Sequence, residues 1–300
     1  MLPNLVWATD FYISSQTDNT VSVFDSDSLA ISREFKVPKG PVNFVVDAKS
    51  NVLYVSHPDN GWVSVVDTKT DKVIDEIKTG GQPFGMALDT ERKNLFVTDW
   101  SRDAVLVVNT VTKQLVDILS VGKSPAGIAI DTVGRKVFIA NRESDSVTIL
   151  DADSPKLLAT VTTGDSPYGL AFNPVTNQIY VGCVKGNSVT VIDAKTYKVI
   201  DTVEDVKSPY GFAISSNGKS FYVTSQAQNK LLVVDAGSLK VTQRIATGKM
   251  PESVALSKDN KSAFVVNWFS NSVSVVDLVS AKQVQAVPLK SESRIIAISN

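Results

Sequence analysis

Histidine and cysteine are almost absent from this chain of 300 residues, which has one of each, His57 and Cys183. One cysteine excludes an intramolecular disulfide and a multi-cysteine metal site, and one histidine excludes a multi-histidine metal centre. The chain also lacks the C-x-x-C-H haem motif, the P-loop, the G-x-G-x-x-G motif and the nucleophile-elbow motif G-x-S-x-G. We therefore predict no metal, no cofactor and no catalytic residue from sequence motifs.

Neither sign of charge dominates, because 30 basic side chains stand against 31 acidic ones and the formal net charge is −1. This balance does not indicate a nucleic-acid partner. No apolar run approaches the roughly 20 residues that a membrane-spanning helix needs, so we predict no membrane insertion. The first ten residues also lack the basic and apolar regions of a signal peptide.

A 42-residue period runs through the chain in three independent ladders. The first is acidic or amide and comprises Asp25, Asp67, Asn109, Asp151, Asp193, Asp235 and Asp277. The second is Pro41, Pro83, Pro125, Pro167, Pro209 and Pro251, with Ser293 in the seventh place. The third is aromatic and comprises Tyr12, Tyr54, Phe96, Phe138, Tyr180, Tyr222 and Phe264. Three ladders in one register indicate seven tandem repeats.

Each repeat contains four short segments rich in Val, Ile, Leu or aromatic residues, separated by turn residues. Four antiparallel strands about every 40 residues are typical of a propeller blade, so we predict an all-β, seven-bladed β-propeller that forms one domain over residues 1–300. The chain starts at the second strand of a repeat, and the missing first strand occurs at Arg294 to Ser299. We expect this C-terminal strand to pair with the N-terminal blade and close the ring.

The second strand of the repeats reads Y-V-S-H at Tyr54, F-V-T-D at Phe96, F-I-A-N at Phe138, Y-V-T-S at Tyr222 and F-V-V-N at Phe264. With P-x-G-I-A-I-D at Pro125 and S-V-S-V-V-D at Ser272, the chain resembles the YVTN-type β-propeller repeat. That repeat occurs in archaeal surface-layer proteins and in exported bacterial proteins of the YncE kind. The resemblance implies the propeller fold and an extracytoplasmic setting, either periplasmic or at the cell surface.

Two sets of repeated residues are expected to serve the scaffold. The Asp or Asn that ends each third strand is followed three residues later by Ser or Thr, a spacing that favours a side-chain-capped turn; a carboxylate array for metal is the alternative. Small residues two positions after the proline favour close packing of the innermost strands around the axis. They are Gly85, Gly127, Gly169 and Gly211.

The expected strand order brings two loops of each blade to one face, which we call the top. These loops vary between blades and carry aromatic and charged residues, as interface centres do. The candidate ligand- or partner-binding residues are Phe84, Asp99, Trp100, Arg142, Tyr168, Tyr210, Glu252, Trp268 and Arg294. Alternatively, the aromatic residues plug the channel, and Glu252 with Arg294 forms a structural ion pair. Lysines in the opposite, bottom turns indicate solvated turn charge or a weak basic face.

The sequence predicts a non-catalytic binding or scaffold protein that recognises a protein, a peptide or an envelope polymer through the top face. One alternative is a lactonase-like hydrolase or another enzyme of the central channel, since related folds carry such chemistry. Its acid–base groups would come from Glu252, Asp99, Arg294 or Arg142, or from His57. Another alternative is a structural surface-layer component.

Overall fold

The computed structural model of the chain describes residues 10–298, which form seven antiparallel sheets of four strands each. From the innermost strand outward, blade 1 contains β28 (Ser293–Ile298), β1 (Asp10–Ser15), β2 (Thr20–Asp25) and β3 (Ala30–Lys36). Blade 2 contains β4 (Phe44–Asp47), β5 (Val52–His57), β6 (Trp62–Asp67) and β7 (Lys72–Lys78). Blade 3 contains β8 (Pro83–Asp89), β9 (Asn94–Asp99), β10 (Ala104–Asn109) and β11 (Leu115–Ser120).

The remaining blades repeat the pattern. Blade 4 contains β12 (Pro125–Asp131), β13 (Lys136–Asn141), β14 (Ser146–Asp151) and β15 (Leu157–Thr162). Blade 5 contains β16 (Pro167–Asn173), β17 (Gln178–Cys183), β18 (Ser188–Asp193) and β19 (Lys198–Val203). Blade 6 contains β20 (Pro209–Ile214), β21 (Ser220–Ser225), β22 (Lys230–Asp235) and β23 (Val241–Ala246). Blade 7 contains β24 (Pro251–Leu256), β25 (Ser262–Asn267), β26 (Ser272–Asp277) and β27 (Lys282–Pro288). The predicted seven-bladed propeller is confirmed.

The apolar core lies between the blades rather than within them. Seven clusters of buried side chains occur in residues 10–298, one at each interface between neighbouring blades. The two middle strands of each sheet are buried on both faces, as in β9 and β10, whereas the outermost strand β11 is largely exposed. This gradient explains why the second and third segments of every repeat are the most apolar.

The ring closes where the C-terminal strand joins the N-terminal blade. Strand β28 pairs antiparallel with β1, with Tyr12 opposite Ala297 and Ile13 opposite Ile296. At the closing interface the rings of Phe11 and Phe264 have centroids 4.8 Å apart, and both side chains are buried. The expected closure is confirmed up to Ile298, and Ser299 lies outside the described residues. Blade 7 therefore packs against blade 1 through the same kind of core as every other pair.

The repeated Asp or Asn at the end of each third strand caps the following turn in all seven blades. In each case one side-chain oxygen accepts backbone N–H groups from the turn, as Asp193 does from Lys195 and Thr196. The N–H of Thr196 is the main cause that lowers the pKa of Asp193. Within residues 10–298 no group of three or more potential ligands is placed to hold a metal ion. The turn-capping interpretation accounts for this ladder.

Glycines on the innermost strands permit close approach of neighbouring blades. A Cβ atom on Gly169 would lie 1.8 Å from the carbonyl oxygen of Tyr210, and one on Gly127 would lie 2.4 Å from that of Tyr168. A Cβ atom on Gly85 would lie 2.3 Å from the carbonyl oxygen of Ala126, and one on Gly211 would lie 2.5 Å from that of Glu252. No side chain fits at these positions, as the sequence pattern indicated.

We expect Gly169→Ala to lower the free energy of unfolding by about 3 kcal/mol, because the added methyl group overlaps a backbone carbonyl that has no room to move. Gly237→Ala is the matched control, since a Cβ there meets only a carboxylate oxygen of Asp235 at 3.6 Å. Urea unfolding followed by tryptophan fluorescence measures both. Equal stability of the two variants would show that the innermost strands can move apart to accommodate a methyl group.

Candidate functional site

Bulges at the top of the innermost strands aim side chains towards the axis. Between β8 and β9 the register shifts from the Pro83–Asp99 pair to the Met86–Val97 pair, so Phe84 and Gly85 lie in the bulge. The same shift occurs at the equivalent positions of blades 4, 5 and 6. A bulge re-orients the residues it contains. In blades 3, 5 and 6 the residue after the proline, Phe84, Tyr168 or Tyr210, thereby lines the mouth of the channel, whereas Ala126 of blade 4 is buried.

A further ladder, which the sequence reading missed, holds the top loops in place. It has the same 42-residue spacing and comprises Asn19, Asp103, Asp145, Asn187, Asn229 and Asn271, with Gly61 in the second blade. Each of these residues has a positive φ, a conformation that Asn and Asp tolerate. Each side chain also accepts a backbone N–H from the loop that leads into the next blade, as Asp145 does from Ser166 at 2.7 Å. Counting by 42 from Asp103 would have found them.

The top of the channel is an open cup of about 400 Å³. It brings together five of the candidate residues from five blades, namely Phe84, Tyr168, Tyr210, Glu252 and Arg294. Its floor is formed by apolar residues of the innermost strands such as Met86, Ile128 and Leu170. A cavity of this size is within the range of small-molecule sites. The aromatic side chains line the channel mouth and leave it open.

Aromatic rings form a continuous wall along one side of the cup. The centroids of Phe84 and Tyr168 are 5.9 Å apart, and those of Tyr168 and Tyr210 are 4.8 Å apart. Trp100 extends the wall outward, 5.3 Å from Phe84. These tilted and edge-to-face contacts are favourable and restrict each ring. The wall is therefore a rigid apolar surface.

Arg142 lies over this wall, in the loop between β13 and β14. Its guanidinium carbon is 5.7 Å from the centroid of Trp100 and 5.5 Å from that of Tyr168, within the range of cation–π attraction. Arg142 is the first residue of a short 3₁₀ turn, Arg142–Ser144. Arg142 thus adds a positive charge to an otherwise apolar wall.

An ion pair occupies the opposite side of the cup. Arg294 donates from Nη1 to Oε1 of Glu252 at 3.0 Å, and its guanidinium stacks on Trp268 at 4.2 Å. Glu252 is only 3% exposed. Burial raises the pKa of Glu252 above its usual value, while Arg294 opposes that rise. The predicted ion pair is present, and it lies in the cup wall.

Asp99 does not reach the cup surface. Its side chain is fully buried and accepts backbone N–H groups from Gln82, Ser101 and Arg102, besides an ion pair with Arg102 at 2.5 Å. Because Gly61 leaves the second blade without the Asn or Asp of the ladder described above, Asp99 and Arg102 hold that loop instead. His57 and Cys183, the equivalent residues of blades 2 and 5, are also fully buried.

A second depression continues from the cup across blades 2 to 4. It has a volume of about 310 Å³, and it shares Gln16, Val42, Phe84 and Tyr168 with the cup. Trp100 and Arg142 line its outer part. We call it the side groove. The cup and the side groove together form an elongated recess, in which Phe84 and Tyr168 line both parts and Arg142 lines the side groove.

The bottom face has a different character. Its arginines are paired between neighbouring blades, as where Arg135 contacts Asp89 at 2.5 Å and Asp153 at 2.9 Å. Arg33 likewise joins Asp10 to Asp71. The lysines of the outer turns, such as Lys156 and Lys240, are exposed. These charges fit a scaffold and solvent role.

The repeating blades and the closed ring make this protein a seven-bladed β-propeller with an open recess on one face. Comparison with protein families gives a match to the YNCE-like beta-propeller family over residues 175–254. The matched residues run from blade 5 into blade 7, so this part of the chain is similar to YncE-like propellers. No curated protein sequence matches it.

Solved structures share the fold at low sequence identity. A functionally unknown protein from Desulfotomaculum acetoxidans is 17% identical with a TM-score of 0.86, over 97% of this chain and 99% of that one. The dihydro-heme d1 dehydrogenase NirN is 12% identical with a TM-score of 0.74, over 96% of this chain and 74% of that one. Hydrazine synthase of Kuenenia stuttgartiensis is 19% identical with a TM-score of 0.56, over 79% and 95%. These likenesses show the propeller fold alone.

No helix within residues 10–298 has the length and apolar character needed to cross a bilayer.

His57 predicts a pH dependence of stability. Its Nδ1 donates to the carbonyl of Lys39 at 3.1 Å, its Nε2 is buried without a partner among the described residues, and burial lowers its pKa from 6.5 to about 4. Between these values the unfolded chain binds a proton that the folded protein does not. The free energy of unfolding should therefore fall by about 3 kcal/mol from about pH 7 to about pH 4.

His57→Gln should remove that part of the pH dependence. Urea unfolding at several pH values gives the free energy of unfolding as a function of pH for each protein. The slopes of the two plots are compared, so a difference in absolute stability does not affect the result. Identical slopes would show that His57 binds its proton equally well in both states.

Proposed function

We propose that this protein is a non-catalytic binding protein that captures a peptide or another extended chain through the top face of the propeller. The observation that carries the proposal is the open cup with its aromatic wall, which continues into the side groove. An elongated recess suits a chain that enters the cup with one end and lies across the groove with the rest. Residues on loops of a rigid scaffold are well placed for such recognition.

Several features support recognition rather than chemistry. The aromatic wall is rigid, and ordered aromatic and arginine side chains dominate the energy of binding interfaces. His57 and Asp99, which were candidates for acid–base work, are fully buried and engaged in the scaffold. Glu252 is held by Arg294. The cup therefore offers shape, apolar surface and charge.

The proposal includes an extracytoplasmic setting, which the resemblance of the repeats to exported YVTN-type propellers supports. A peptide or polymer of the cell envelope is then the natural partner.

The test is selection of peptides from a random library displayed on phage, with the immobilised protein as bait. Binding of the selected peptides should be lost when Trp100, Tyr168, Tyr210 and Trp268 are replaced together by Ala. The reason is that the replacement removes three of the four rings of the aromatic wall, together with Trp268, the ring over which Arg294 lies. Biolayer interferometry measures the affinity, and a loss of more than about 100-fold is expected because several anchor residues are removed at once.

A bottom-face variant is the matched control. Val133, Val175 and Val279 lie in exposed bottom turns, and their replacement by Ala should leave binding unchanged. Circular dichroism verifies that both variants keep the fold. Selected peptides that bind the top-face variant as well as the original protein would overturn the proposal.

An enzyme of the channel is the second candidate, and Glu252 is the observation that favours it. A buried carboxyl with a raised pKa in a cleft is a recognised mark of a catalytic group. A panel of esters and lactones, assayed with the original protein and with Glu252→Gln, separates the two functions. Turnover that disappears in Glu252→Gln would replace the binding proposal with a hydrolase, and absence of turnover with either protein supports binding.

A further inference from the structure

The recess contains hydrogen-bond donors that have no acceptor among residues 10–298. The guanidinium of Arg142 contacts two aromatic faces, but within residues 10–298 it has no ion pair and no hydrogen-bond acceptor. None of its nitrogen atoms is among the buried atoms without a partner, so the group is accessible from the recess. Every other arginine discussed above, on either face, is paired with a carboxylate. Arg142 is thus set apart by its free charge.

Two phenol groups beside Arg142 add to this surplus. In the described part of the chain, neither the hydroxyl of Tyr168 nor that of Tyr210 has a hydrogen-bond partner, and both are accessible. Burial raises the pKa of both tyrosines, so both hydroxyls keep their protons at neutral pH and can donate. Arg142 in the side groove and Tyr168 and Tyr210 in the cup therefore offer several hydrogen-bond donors within one recess.

Glu252, the one carboxylate that lines the cup in residues 10–298, already has a partner. Both oxygens of Glu252 accept from Nη1 of Arg294, at 3.0 and 3.4 Å. This pair has no net charge, so Arg142 of the side groove leaves the recess as a whole with a net charge of about +1. A surplus of donors and a net positive charge require a ligand that supplies acceptors and a negative charge.

The surroundings of Arg142 define the rest of the ligand. Phe84 and Trp100 lie on the side of the groove, and the apolar floor of the cup lies on the other side. The guanidinium of Arg142 lies within cation–π range of two aromatic rings, and its planar fork of N–H donors matches the geometry of a carboxylate. The body attached to that carboxylate then meets aromatic and aliphatic surface.

We propose that the recess recognises a carboxylate carried on an apolar, preferably aromatic, body, with Arg142 as the anion anchor and the hydroxyls of Tyr168 and Tyr210 as additional donors. This inference rests on the proposed function, because it names the chemistry of the ligand that the top face captures. The carboxylate has two sources of the same chemistry, a small aromatic acid or the C-terminus of a peptide that ends in an aromatic residue.

The test compares acids with their amides, which have nearly the same shape and lack the charge. The probes are N-acetyl-tryptophan against N-acetyl-tryptophanamide, and a tetrapeptide that ends in tryptophan as free acid against the same peptide as C-terminal amide. Isothermal titration calorimetry with the original protein should show about tenfold tighter binding of the acid in at least one pair, the amount that a charge-assisted hydrogen bond contributes.

Arg142→Gln should reduce the acid-to-amide ratio to about one, while Arg142→Lys, which keeps the charge and loses the planar fork, should retain part of it. Arg244→Gln is the matched control, because it removes an arginine from the outermost strand β23, where Arg244 contacts Asp205 at 3.4 Å. That variant should keep the full ratio. Thermal unfolding checks that all three variants fold.

Preference for the acid in the small pair assigns the carboxylate to a free acid, and preference in the peptide pair alone assigns it to a chain terminus; both support the inference. Equal binding of acid and amide, or a preference that survives Arg142→Gln, overturns it. The proposed function is tested apart from this, because peptides that need the top-face aromatic residues but show no acid preference leave it standing and overturn only the carboxylate assignment.

Discussion

The antiparallel pairing of β28 with β1 is the interaction on which the rest of the structure depends. Without it, blade 1 would lack its innermost strand, and the seventh interface would lose the cluster that contains Phe11 and Phe264. Burying a side chain of that size contributes about 2–3 kcal/mol, and an unpaired strand would also leave an open sheet edge. Closure makes the seven innermost strands converge on one axis, and Arg294 enters the cup only because it belongs to the closing strand.

Convergence on the axis also creates the site. In four of the seven blades the innermost strands approach each other so closely that no side chain fits, and Gly85, Gly127, Gly169 and Gly211 occupy these positions. In blade 7, Ser253 takes the glycine position and donates to the carbonyl of Arg294 at 2.6 Å. The bulge that accommodates this crowding turns the preceding residue towards the channel mouth. The close packing of the innermost strands and the position of Phe84, Tyr168 and Tyr210 in the cup wall therefore have the same cause.

The recess contains two arginines, Arg294 in the cup and Arg142 in the side groove, and their surroundings differ. Arg294 is stacked on Trp268 and paired with a nearly buried carboxylate, so its charge is neutralised inside the wall. Arg142 also lies over aromatic rings, at 5.5 and 5.7 Å from their centroids, but it has no ion-pair partner among the described residues. A buried pair gains little net energy, whereas a preorganised free guanidinium retains its interaction energy for a ligand. In the proposed recognition, the charge available to a ligand is therefore that of Arg142.

The repeat length, the blade number, the ring closure, the turn-capping Asp and Asn residues and the axial glycines were all readable from the sequence, because each recurs every 42 residues and each is required by local backbone geometry. The ladder of Asn19 and its equivalents was equally readable and was missed. Tertiary structure alone decided that Asp99 and His57 are buried while Trp100 and Arg142 line the recess, although all four occupy varied positions of the same loop. Burial and pairing depend on neighbours from other blades, which lie tens of residues away in the chain and which no local pattern encodes.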